Sequence, residues 1–246
     1  MNSFQRHGIK HLSPSSLLTY QNNPAMWVGK YLFGWRDDAG PRAWLGGAVE
    51  TGLHSKLNGA EDFMERALHA FDEKAQGEIR DDIEDARQHL RPMLQQACEA
   101  YKERMGARPL YQVKCEWWID GIEVPVIGYL DFEWPEQIDD LKTTLAIPSK
   151  PRPDHVAQIA MYMKAREKDC GSLLYVSPKK FAQYQITMEQ AEEELRALVR
   201  SAKAIRHMLG MARDKNDAAR IFAPDFSDFR WNETTKALAL QTLEAR

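Results

Sequence analysis

The sequence predicts an α/β protein, in which a mixed β-sheet is flanked by helices and carries a helical elaboration on its N-terminal side. Three observations predict this fold class. Apolar residues recur at helical spacing through residues 1–109, strand-forming residues dominate residues 110–186 around one further helix, and helical spacing returns in residues 187–246. A chain of 246 residues that is 43% hydrophobic and 28% charged suits an ordinary globular protein, and these three parts are expected to form a single domain.

Helix-start signals and apolar spacing place the predicted helices. Ser13 followed by Pro14 is typical of a helix N-cap and first helical position, and Pro24 is expected to break the helix that follows. The Gly46–Gly47 pair is expected at the start of a helix whose apolar face carries Val49 and later residues at four-residue spacing. Further helices are predicted at residues 60–76, 84–105, 151–168, 187–213 and 233–245.

Strand-forming residues predict five strands. The first, "YQVKCEWWI", is followed by Asp120-Gly121, a pair that is typical of a two-residue hairpin turn. The second lies in "IEVPVIGYLDFEW" and the third in "QIDDLKTT", with a turn near Trp134 to Glu136 between them. That turn makes the second and third strands antiparallel neighbours. The fourth and fifth strands are predicted at residues 172–177 and 181–186.

The charged side chains of the third predicted strand indicate a site. Because side chains alternate along a strand, Asp140 and Lys142 share one face and Asp139 lies on the other. The antiparallel pairing brings Asp131 of the second strand within a few ångströms of Asp140. Two carboxylates so placed repel each other unless a cation lies between them, and oxygen ligands suit magnesium or manganese. Lys142 is expected to hold an attacking water or to stabilise negative charge on a phosphate.

The order of these residues resembles the PD-(D/E)XK nuclease superfamily, and within it the RecB-like and phage-type exonuclease branch. The residues that carry the resemblance are Asp131, Asp140-Leu141-Lys142, and the helical run from Gln158 to Tyr162. The stretches "LSPSSLLTY", "GGAVETGLH" and "DLKTTLAIPS" are also similar to that branch, so the resemblance extends in pieces from about residue 12 to residue 165. It implies a restriction-endonuclease-like sheet core and metal-dependent cleavage of DNA.

The resemblance also implies a set of metal ligands. Glu50 stands at the position of the family's helix ligand, and His54, one helical turn later, is the alternative ligand, a partner of the ligands or a DNA contact. An oxygen site for Mg²⁺ or Mn²⁺ would then consist of Glu50, Asp131, Asp140 and the backbone carbonyl of Leu141. A helix-surface histidine without a role remains the alternative for His54.

The resemblance extends to residues that would contact the substrate. Gln158 and Tyr162 share one helix face, and in relatives this motif lies beside the metal site and contacts DNA or the lysine, so we count both with the catalytic residues. On spacing alone, a helix that packs these side chains against the sheet is the alternative. The candidate DNA contacts are Thr143, Lys150, Arg152, His155 and Lys164.

Local charge supports a nucleic-acid substrate better than global charge does. The whole chain has a formal net charge of −3, yet residues 141–180 contain eight basic and three acidic side chains, a balance of +5. A basic surface around one site suits a phosphate backbone. Solvated helix and loop faces are the alternative explanation for the same residues.

Cysteine usage and apolar runs exclude several classes. The three cysteines, Cys98, Cys115 and Cys170, have no CxxC spacing, so neither a disulfide framework nor a zinc site is expected. Cluster-bearing relatives carry three late cysteines where this chain has "FAPDFSDFRWNE", so no iron–sulfur cluster is expected. No apolar run reaches the length of about 20 residues that spans a bilayer. We expect a cytoplasmic protein without a membrane partner.

The resemblance implies a DNA exonuclease that acts on linear duplex ends, as in phage-type recombination. Relatives of this kind often form rings around DNA and often act with a single-strand annealing protein, so a homo-oligomer and such a partner are implied as well. A structure- or sequence-selective endonuclease is the alternative within the same fold. A non-catalytic DNA-binding protein is the alternative of another class, and the retained carboxylates and lysine argue against it.

Overall fold

The computed structural model describes residues 1–36, 39–228 and 230–244, which fall into two compact units. The first unit comprises residues 1–38, 115–128 and 192–246, and the second comprises residues 39–114 and 129–191. The predicted site residues all belong to the second unit. That the chain behaves as one domain stays a prediction.

In the described residues, five strands form one mixed sheet in the order β1-β2-β3-β4-β5. Strand β3 is antiparallel to β2 and parallel to β4, and β5 is antiparallel to β4. The parallel step from β3 to β4 needs a crossover, which a helix supplies. The strands are β1 (Leu110–Trp117), β2 (Val126–Glu133), β3 (Ile138–Thr143), β4 (Cys170–Val176) and β5 (Phe181–Thr187).

Helices precede the sheet, cross over within it and follow it. The crossover helix between β3 and β4 is α8. A short 3-10 helix (Lys102–Arg104) and a π-helical turn (Leu240–Glu244) add to them. The α-helices of the described residues are α1 (Ser3–Arg6), α2 (Pro14–Asn22), α3 (Pro24–Leu32), α4 (Pro41–Leu57), α5 (Phe63–Ala75), α6 (Ile83–Arg87), α7 (Leu90–Ala100), α8 (Pro153–Ala165), α9 (Glu192–Met211), α10 (Lys215–Ala219) and α11 (Glu233–Ala239).

Helix α4 is the central helix of the second unit. Val49, Leu53 and Leu57 are fully buried on the face that the sequence predicted, in one apolar core with side chains of α5, α7 and the sheet. Gly52 on α4 allows this packing, because a Cβ atom there would lie 2.6 Å from Leu94 Cδ2. Helix α4 is therefore closely packed in this core, and Glu50 lies in its middle turn.

Helix α8 packs closely on β4. Gly171 lies at the contact, and a Cβ atom at this position would lie 2.8 Å from both Ile159 Cδ1 and Met163 Sδ of the helix. Such a distance is shorter than side-chain atoms tolerate, so the absence of a side chain at Gly171 sets how near α8 comes to the sheet. Gln158, which precedes Ile159 on α8, lies against Lys142 of β3.

The two ends of the chain belong to the first unit. Helix α9 buries Leu198 and Ile205, and His7 Nε2 lies 3.1 Å from the backbone carbonyl oxygens of both Leu209 and Ala212. In the described part of the chain, no helix combines the length and the apolar character that crossing a membrane requires. Cys98, Cys115 and Cys170 are all free thiols, as the sequence indicated.

Pro24 ends one helix and begins the next. Helix α2 ends at Asn22, as predicted, and Pro24 is the first residue of α3, where the Asn23 side chain accepts a hydrogen bond from the Met26 N–H at 3.0 Å. The prediction for Gly46 and Gly47 was wrong: they do not start α4, which begins at Pro41 because proline suits a first helical position. Their N–H groups are therefore inside the helix.

The Asp120-Gly121 pair forms a turn but not the predicted two-residue hairpin. The Ile122 N–H donates to the Ile119 carbonyl at 3.0 Å around the pair, and Gly121 has a φ of 75°, which favours glycine. Strand β1 has already ended at Trp117, so the connection to β2 spans residues 118–125. The turn was predicted correctly, whereas the ends of the two strands beside it were not.

Candidate active site

Four elements carry most of the predicted site residues: α4, β2, β3 and α8. Lys150 and Arg152 lie in the loop between β3 and α8. Seven of the predicted residues line a single cavity of about 430 Å³. The cavity thus joins three of the predicted metal-ligand residues with part of the predicted DNA-contact set, whereas Asp140 is buried outside its described lining. The seven are Glu50, Asp131, Leu141, Lys142, Thr143, Arg152 and His155.

The pairing of β2 with β3 brings the two aspartates together. Phe132 lies opposite Asp139 in the antiparallel register. Asp131 and Asp140 are the next pair along the two strands. Because side chains alternate, both of theirs lie on the face of the sheet opposite to Phe132 and Asp139. The backbone N–H of Leu141 donates to Asp131 Oδ2 at 2.8 Å, which fixes the orientation of that carboxylate.

Asp140 is fully buried and lies next to Lys142. Its Oδ2 is 2.7 Å from Lys142 Nζ, with the aspartate side chain 1% and the lysine side chain 21% exposed. Apart from this ion pair, neither carboxylate oxygen of Asp140 accepts a hydrogen bond from the described residues. A buried carboxylate normally accepts several hydrogen bonds, so Asp140 retains free acceptor capacity that faces the site.

The charge of Lys142 is stabilised by its neighbours. Burial lowers the pKa of Lys142, but the negative charges of Asp140 and Asp131 outweigh burial and leave the pKa above its ordinary value. Lys142 is therefore an ammonium ion at neutral pH. A permanent positive charge suits electrostatic stabilisation of an anion better than it suits proton abstraction.

Burial and nearby negative charge raise the pKa of two carboxyl groups of the site. Burial is the largest cause of the raised pKa of Asp131, followed by the charges of Asp140 and Glu50. Burial also raises the pKa of Glu50, with Asp140 adding to the shift while hydrogen bonds and Lys142 oppose it. A cation is the partner that best stabilises carboxylates placed so close together.

Glu50 on α4 is held by residues of β1 that the sequence did not indicate. The Gln112 side-chain N–H donates to Glu50 Oε1, and Tyr111 also hydrogen-bonds the glutamate. Gln112 has a φ of 49°, in the left-handed region that residues other than glycine seldom adopt. Such a strained backbone is held in place by its surroundings and is common at functional sites. No sequence signal marks it.

Lys142, Gln158 and Tyr162 form a chain of hydrogen bonds. Lys142 Nζ donates to Gln158 Oε1 at 3.0 Å, and Gln158 Nε2 donates to the Tyr162 hydroxyl at 2.9 Å. The four-residue spacing of Gln158 and Tyr162 on α8 produces the second contact, as the sequence indicated. The Gln158 amide thus helps to orient the Lys142 ammonium, which also contacts Asp140.

His54 lies apart from this chain. Its ring stacks on Tyr111, with the ring centroids 3.9 Å apart and the planes inclined by 11°. Burial lowers the pKa of His54, so the imidazole is neutral at neutral pH. His54 is not among the described residues that line the cavity. Its predicted role as an alternative metal ligand stays a prediction.

The predicted DNA contacts divide into two groups. Thr143, Arg152 and His155 line the cavity, whereas Lys150 and Lys164 are exposed residues outside its described lining. Arg152 pairs with Asp154 at 2.7 Å, which partly neutralises its charge. Arg42 and Tyr175 line the cavity as well, and the sequence analysis missed both.

The donor set suits a hard divalent cation. Carboxylate oxygens are the ligands that Mg²⁺ and Mn²⁺ prefer, and Asp140 retains buried oxygens without hydrogen-bond donors. Within the described residues, no three His, Cys, Asp or Glu side chains are yet close enough together to hold a metal ion. The Lys142 ammonium lies against Asp140, and the Leu141 N–H donates to Asp131. The residues fit such an ion in chemistry.

Comparisons with known proteins identify the family. A family model for the PD-(D/E)XK nuclease superfamily matches residues 11–231. The chain therefore belongs to the PD-(D/E)XK nuclease superfamily, which confirms the predicted family and fold class and supports hydrolysis of nucleic acid. Nucleases of this superfamily generally use Mg²⁺ or Mn²⁺. The RecB-like branch stays a prediction.

Among solved structures, the crystal structure of SSO0001 is similar at 15% sequence identity. The similarity covers 66% of this chain and 84% of that chain, with a TM-score of 0.37. A score of this size is too low to bear on the fold or the function. A comparison with curated proteins found no match.

Proposed function

We propose that this protein is a metal-dependent deoxyribonuclease, and specifically an exonuclease that digests linear duplex DNA from its ends. The observation that supports catalysis most directly is the Asp140–Lys142 pair, with Nζ 2.7 Å from Oδ2, in which Asp140 is buried and Lys142 lines the cavity together with Asp131 and Glu50. Removing charges from water costs several kcal/mol each, and a cation-binding catalytic site is a function that would account for keeping them.

Four groups would hold Mg²⁺ or Mn²⁺: the carboxylates of Glu50, Asp131 and Asp140, and the Leu141 backbone carbonyl. When bound, the ion supplies Lewis-acid polarisation of the phosphate and lowers the pKa of a coordinated water. For the ion to reach Asp140, the Lys142 ammonium has to yield part of its contact with Oδ2. Its contact with Gln158 keeps it within the site when it does so.

Lys142 would act on the phosphate or on the attacking water. Its ammonium group donates hydrogen bonds and stabilises the negative charge that develops on the phosphate oxygens in the transition state. Attack in line with the leaving oxygen leaves a 5′-phosphate on the product. Gln158 and Tyr162 would act through Lys142 by fixing the direction of its ammonium group.

The shape and lining of the cavity support entry of one DNA strand. About 430 Å³ suits a nucleotide-sized group and is too small for a duplex. Arg152 and Thr143 line it and would contact phosphate oxygens, with Lys150 and Lys164 contacting the strand outside the cavity. Preference for strand ends rests on the resemblance of the motifs to phage-type exonucleases.

The same resemblance supports three further proposals. The protein would act in phage-type recombination or DNA processing in the cytoplasm, with a single-strand annealing protein as a partner. It would form a ring-shaped homo-oligomer around the duplex. Light scattering during size-exclusion chromatography, with and without a linear duplex, measures the oligomeric state; a monomer under both conditions would contradict the ring.

Digestion of linear and closed-circular duplex DNA in Mg²⁺ tests the proposed function. Wild type should degrade the linear form only, and a chelator should stop the reaction. Lys142→Ala should abolish degradation. Lys74→Ala removes an exposed lysine of α5 outside the described cavity lining, so it should retain full activity.

The outcomes separate the alternatives. Cleavage of the circle indicates the endonuclease. If folded wild type cleaves neither form, nor single strands or RNA, and only binds them, the non-catalytic DNA-binding protein is correct. Because Lys142→Ala removes side-chain volume as well as the counter-ion of Asp140, Lys142→Met, which keeps most of the volume and removes only the charge, is tested beside it, and circular dichroism checks that each variant is folded.

A further inference from the structure

His155 and Tyr175 form a pair in the cavity that the proposed mechanism does not yet use. His155 lies in the first turn of α8, and Tyr175 lies on β4 opposite Lys142 of β3 in the parallel register. His155 Nδ1 is 2.7 Å from the Tyr175 hydroxyl oxygen, and Tyr175 is only 1% exposed. The backbone N–H of Arg152 also donates to this hydroxyl oxygen, at 3.1 Å.

The hydrogen bonds of Tyr175 determine which nitrogen of His155 carries the proton. The Tyr175 oxygen already accepts a hydrogen bond from Arg152, so its own proton needs an acceptor, as a buried phenol normally has one. Among the described residues, His155 Nδ1 is the acceptor within reach. In a neutral imidazole one nitrogen donates and the other accepts. With Nδ1 accepting, the proton is on Nε2.

The second nitrogen of His155 is free to bind a ligand. Nε2 has no hydrogen-bond partner among the described residues, and the residue lines the cavity with Lys142 and Asp131. Among the groups that the proposed function brings into the cavity, the anionic oxygen of a phosphodiester is the acceptor that suits this N–H group.

We propose that His155 is held as the neutral Nε2–H tautomer by the Tyr175 hydroxyl, and that its Nε2–H donates a hydrogen bond to a phosphate oxygen of the DNA strand in the cavity. The phosphate contact rests on the proposed function, whereas the tautomer does not. His155 touches the substrate, and Tyr175 is a positioning residue that acts through it.

The electrostatics of the cavity agree with a neutral donor. Burial lowers the pKa of His155, and the charges of Lys142 and Arg152 lower it further, while Asp154 and Asp140 oppose the shift. Burial also raises the pKa of Tyr175, which keeps the phenol protonated. A histidine cation would carry protons on both nitrogens, and Tyr175 would then lose its acceptor. Lys142 would supply the positive charge near the phosphate, and the His155 Nε2–H would supply a directional hydrogen bond to it.

Nuclear magnetic resonance of the metal-free protein measures the tautomer directly. Two-bond correlations between ring protons and ring nitrogens distinguish a protonated nitrogen from an unprotonated one, and His155→Gln identifies the His155 signals. We expect a protonated Nε2 and an unprotonated Nδ1 at neutral pH. The opposite tautomer, or a doubly protonated ring, overturns the proposal. Tyr175→Phe should shift His155 toward a mixture, whereas Tyr129→Phe, which changes an exposed tyrosine, should not.

Cleavage kinetics test the phosphate contact. Glutamine can place an amide N–H near the position of imidazole Nε2, and asparagine cannot reach it. His155→Asn should lose about ten- to hundredfold in kcat/KM, the loss expected for one hydrogen bond to a charged group, and His155→Gln should recover most of it. Tyr175→Phe should lower kcat more than it raises KM.

Each outcome decides a different point. Equal activity of His155→Asn and wild type overturns the phosphate contact. Equal loss in His155→Asn and His155→Gln, with both proteins folded, indicates a packing role and overturns it as well. If wild type cleaves no DNA, the proposed function fails and the phosphate contact fails with it, while the tautomer is still decided by the resonance measurement.

Discussion

Asp139 and Asp140 are adjacent on β3 and equally buried, yet their surroundings are opposite. Asp139 accepts hydrogen bonds from the Tyr101 hydroxyl at 2.8 Å, the Trp134 indole N–H at 2.7 Å and the Gln137 amide. Asp140 accepts none from the described residues and lies against the Lys142 ammonium. Because side chains alternate along a strand, the carboxylate on one face has its hydrogen-bond donors, whereas the carboxylate on the other face has free acceptor capacity.

Alanine substitution at the two positions should have opposite effects. Asp139→Ala leaves three buried donors without an acceptor and should destabilise the protein by about 3 kcal/mol, with activity retained below its melting temperature. Asp140→Ala breaks the ion pair with Lys142, but it also relieves the repulsion that Asp140 exerts on its carboxylate neighbours, and Lys142 keeps its hydrogen bond to Gln158. The variant should therefore lose less stability than Asp139→Ala and lose all nuclease activity. Urea unfolding and DNA digestion measure the two quantities.

Val113→Ala, a substitution of a half-buried apolar residue on β1, is a control for loss of side-chain volume in the sheet. A destabilisation by Asp140→Ala as large as that by Asp139→Ala would contradict the assignment of Asp140 as free for a ligand.

The hydrogen bonds from Lys142 to Gln158 and on to Tyr162 should act as one unit. Gln158→Ala removes the group that orients the ammonium, and kcat should fall about ten- to hundredfold with little change in KM. Tyr162→Phe removes the outer contact and should cost less. In the double variant the losses should not add, because Tyr162 acts on Lys142 through Gln158.

A double-mutant cycle measures this coupling. Independent, additive losses in kcat would show that Tyr162 contacts the substrate by itself. Ile159→Val, on the neighbouring position of α8, trims the helix without touching the chain of hydrogen bonds and should keep kcat near the wild-type value.

The close contact of α8 with β4 should couple packing to activity. Gly171→Ala introduces a Cβ atom 2.8 Å from Ile159 Cδ1 and Met163 Sδ, so the helix has to move outward. Overpacking of this kind typically costs about 1–3 kcal/mol. Because α8 also carries Gln158, kcat should fall as well. Adding Ile159→Ala should restore part of both; no recovery would show that the contact does not position the helix.

The arrangement of these candidate site residues could be predicted from the sequence because it depends on local features of the chain. Alternation along β3 fixes which face Asp140 and Lys142 share, and a short turn fixes the pairing that brings Asp131 near. The four-residue spacing of Gln158 and Tyr162 fixes their contact. Each of these relations depends on a few neighbouring residues, so a period of 2.0 or 3.6 is enough to predict it.

Contacts between distant segments could not be predicted in this way. The stacking of His54 on Tyr111 and the bond from Gln112 to Glu50 depend on how β1 lies beside α4, and the left-handed backbone of Gln112 leaves no trace in residue type. Proline was ambiguous in a more local way: Pro24 marks the end of α2, as predicted, and it also begins α3, which the cap by the preceding Asn23 shows.

Repulsion among the carboxylates should make stability depend on pH in metal-free protein. Burial, and then the charges of Asp140 and Glu50, raise the pKa of Asp131 well above its ordinary value. The folded state therefore binds this proton more tightly than the unfolded state, whose carboxyl pKa is about 4. Stability should fall as pH rises above that value and reach its full loss above the raised pKa.

Asp131→Asn removes this effect while its side-chain oxygen still accepts from the Leu141 N–H. At about pH 7.5 the variant should be more stable than wild type by roughly 1–2 kcal/mol, or several degrees in melting temperature, and the difference should vanish near pH 4. The lowered pKa values of His54 and His155 act in the opposite direction, but they are common to both proteins and cancel in the difference.

Mg²⁺ should raise the melting temperature of wild type and leave that of the Asp131→Asn variant nearly unchanged, because only wild type has the full ligand set. Calorimetry over pH 4–8 with and without Mg²⁺ measures both effects. A variant less stable than wild type at neutral pH would show that the Asp131 carboxylate is a structural group rather than one kept at a cost in stability for binding a cation.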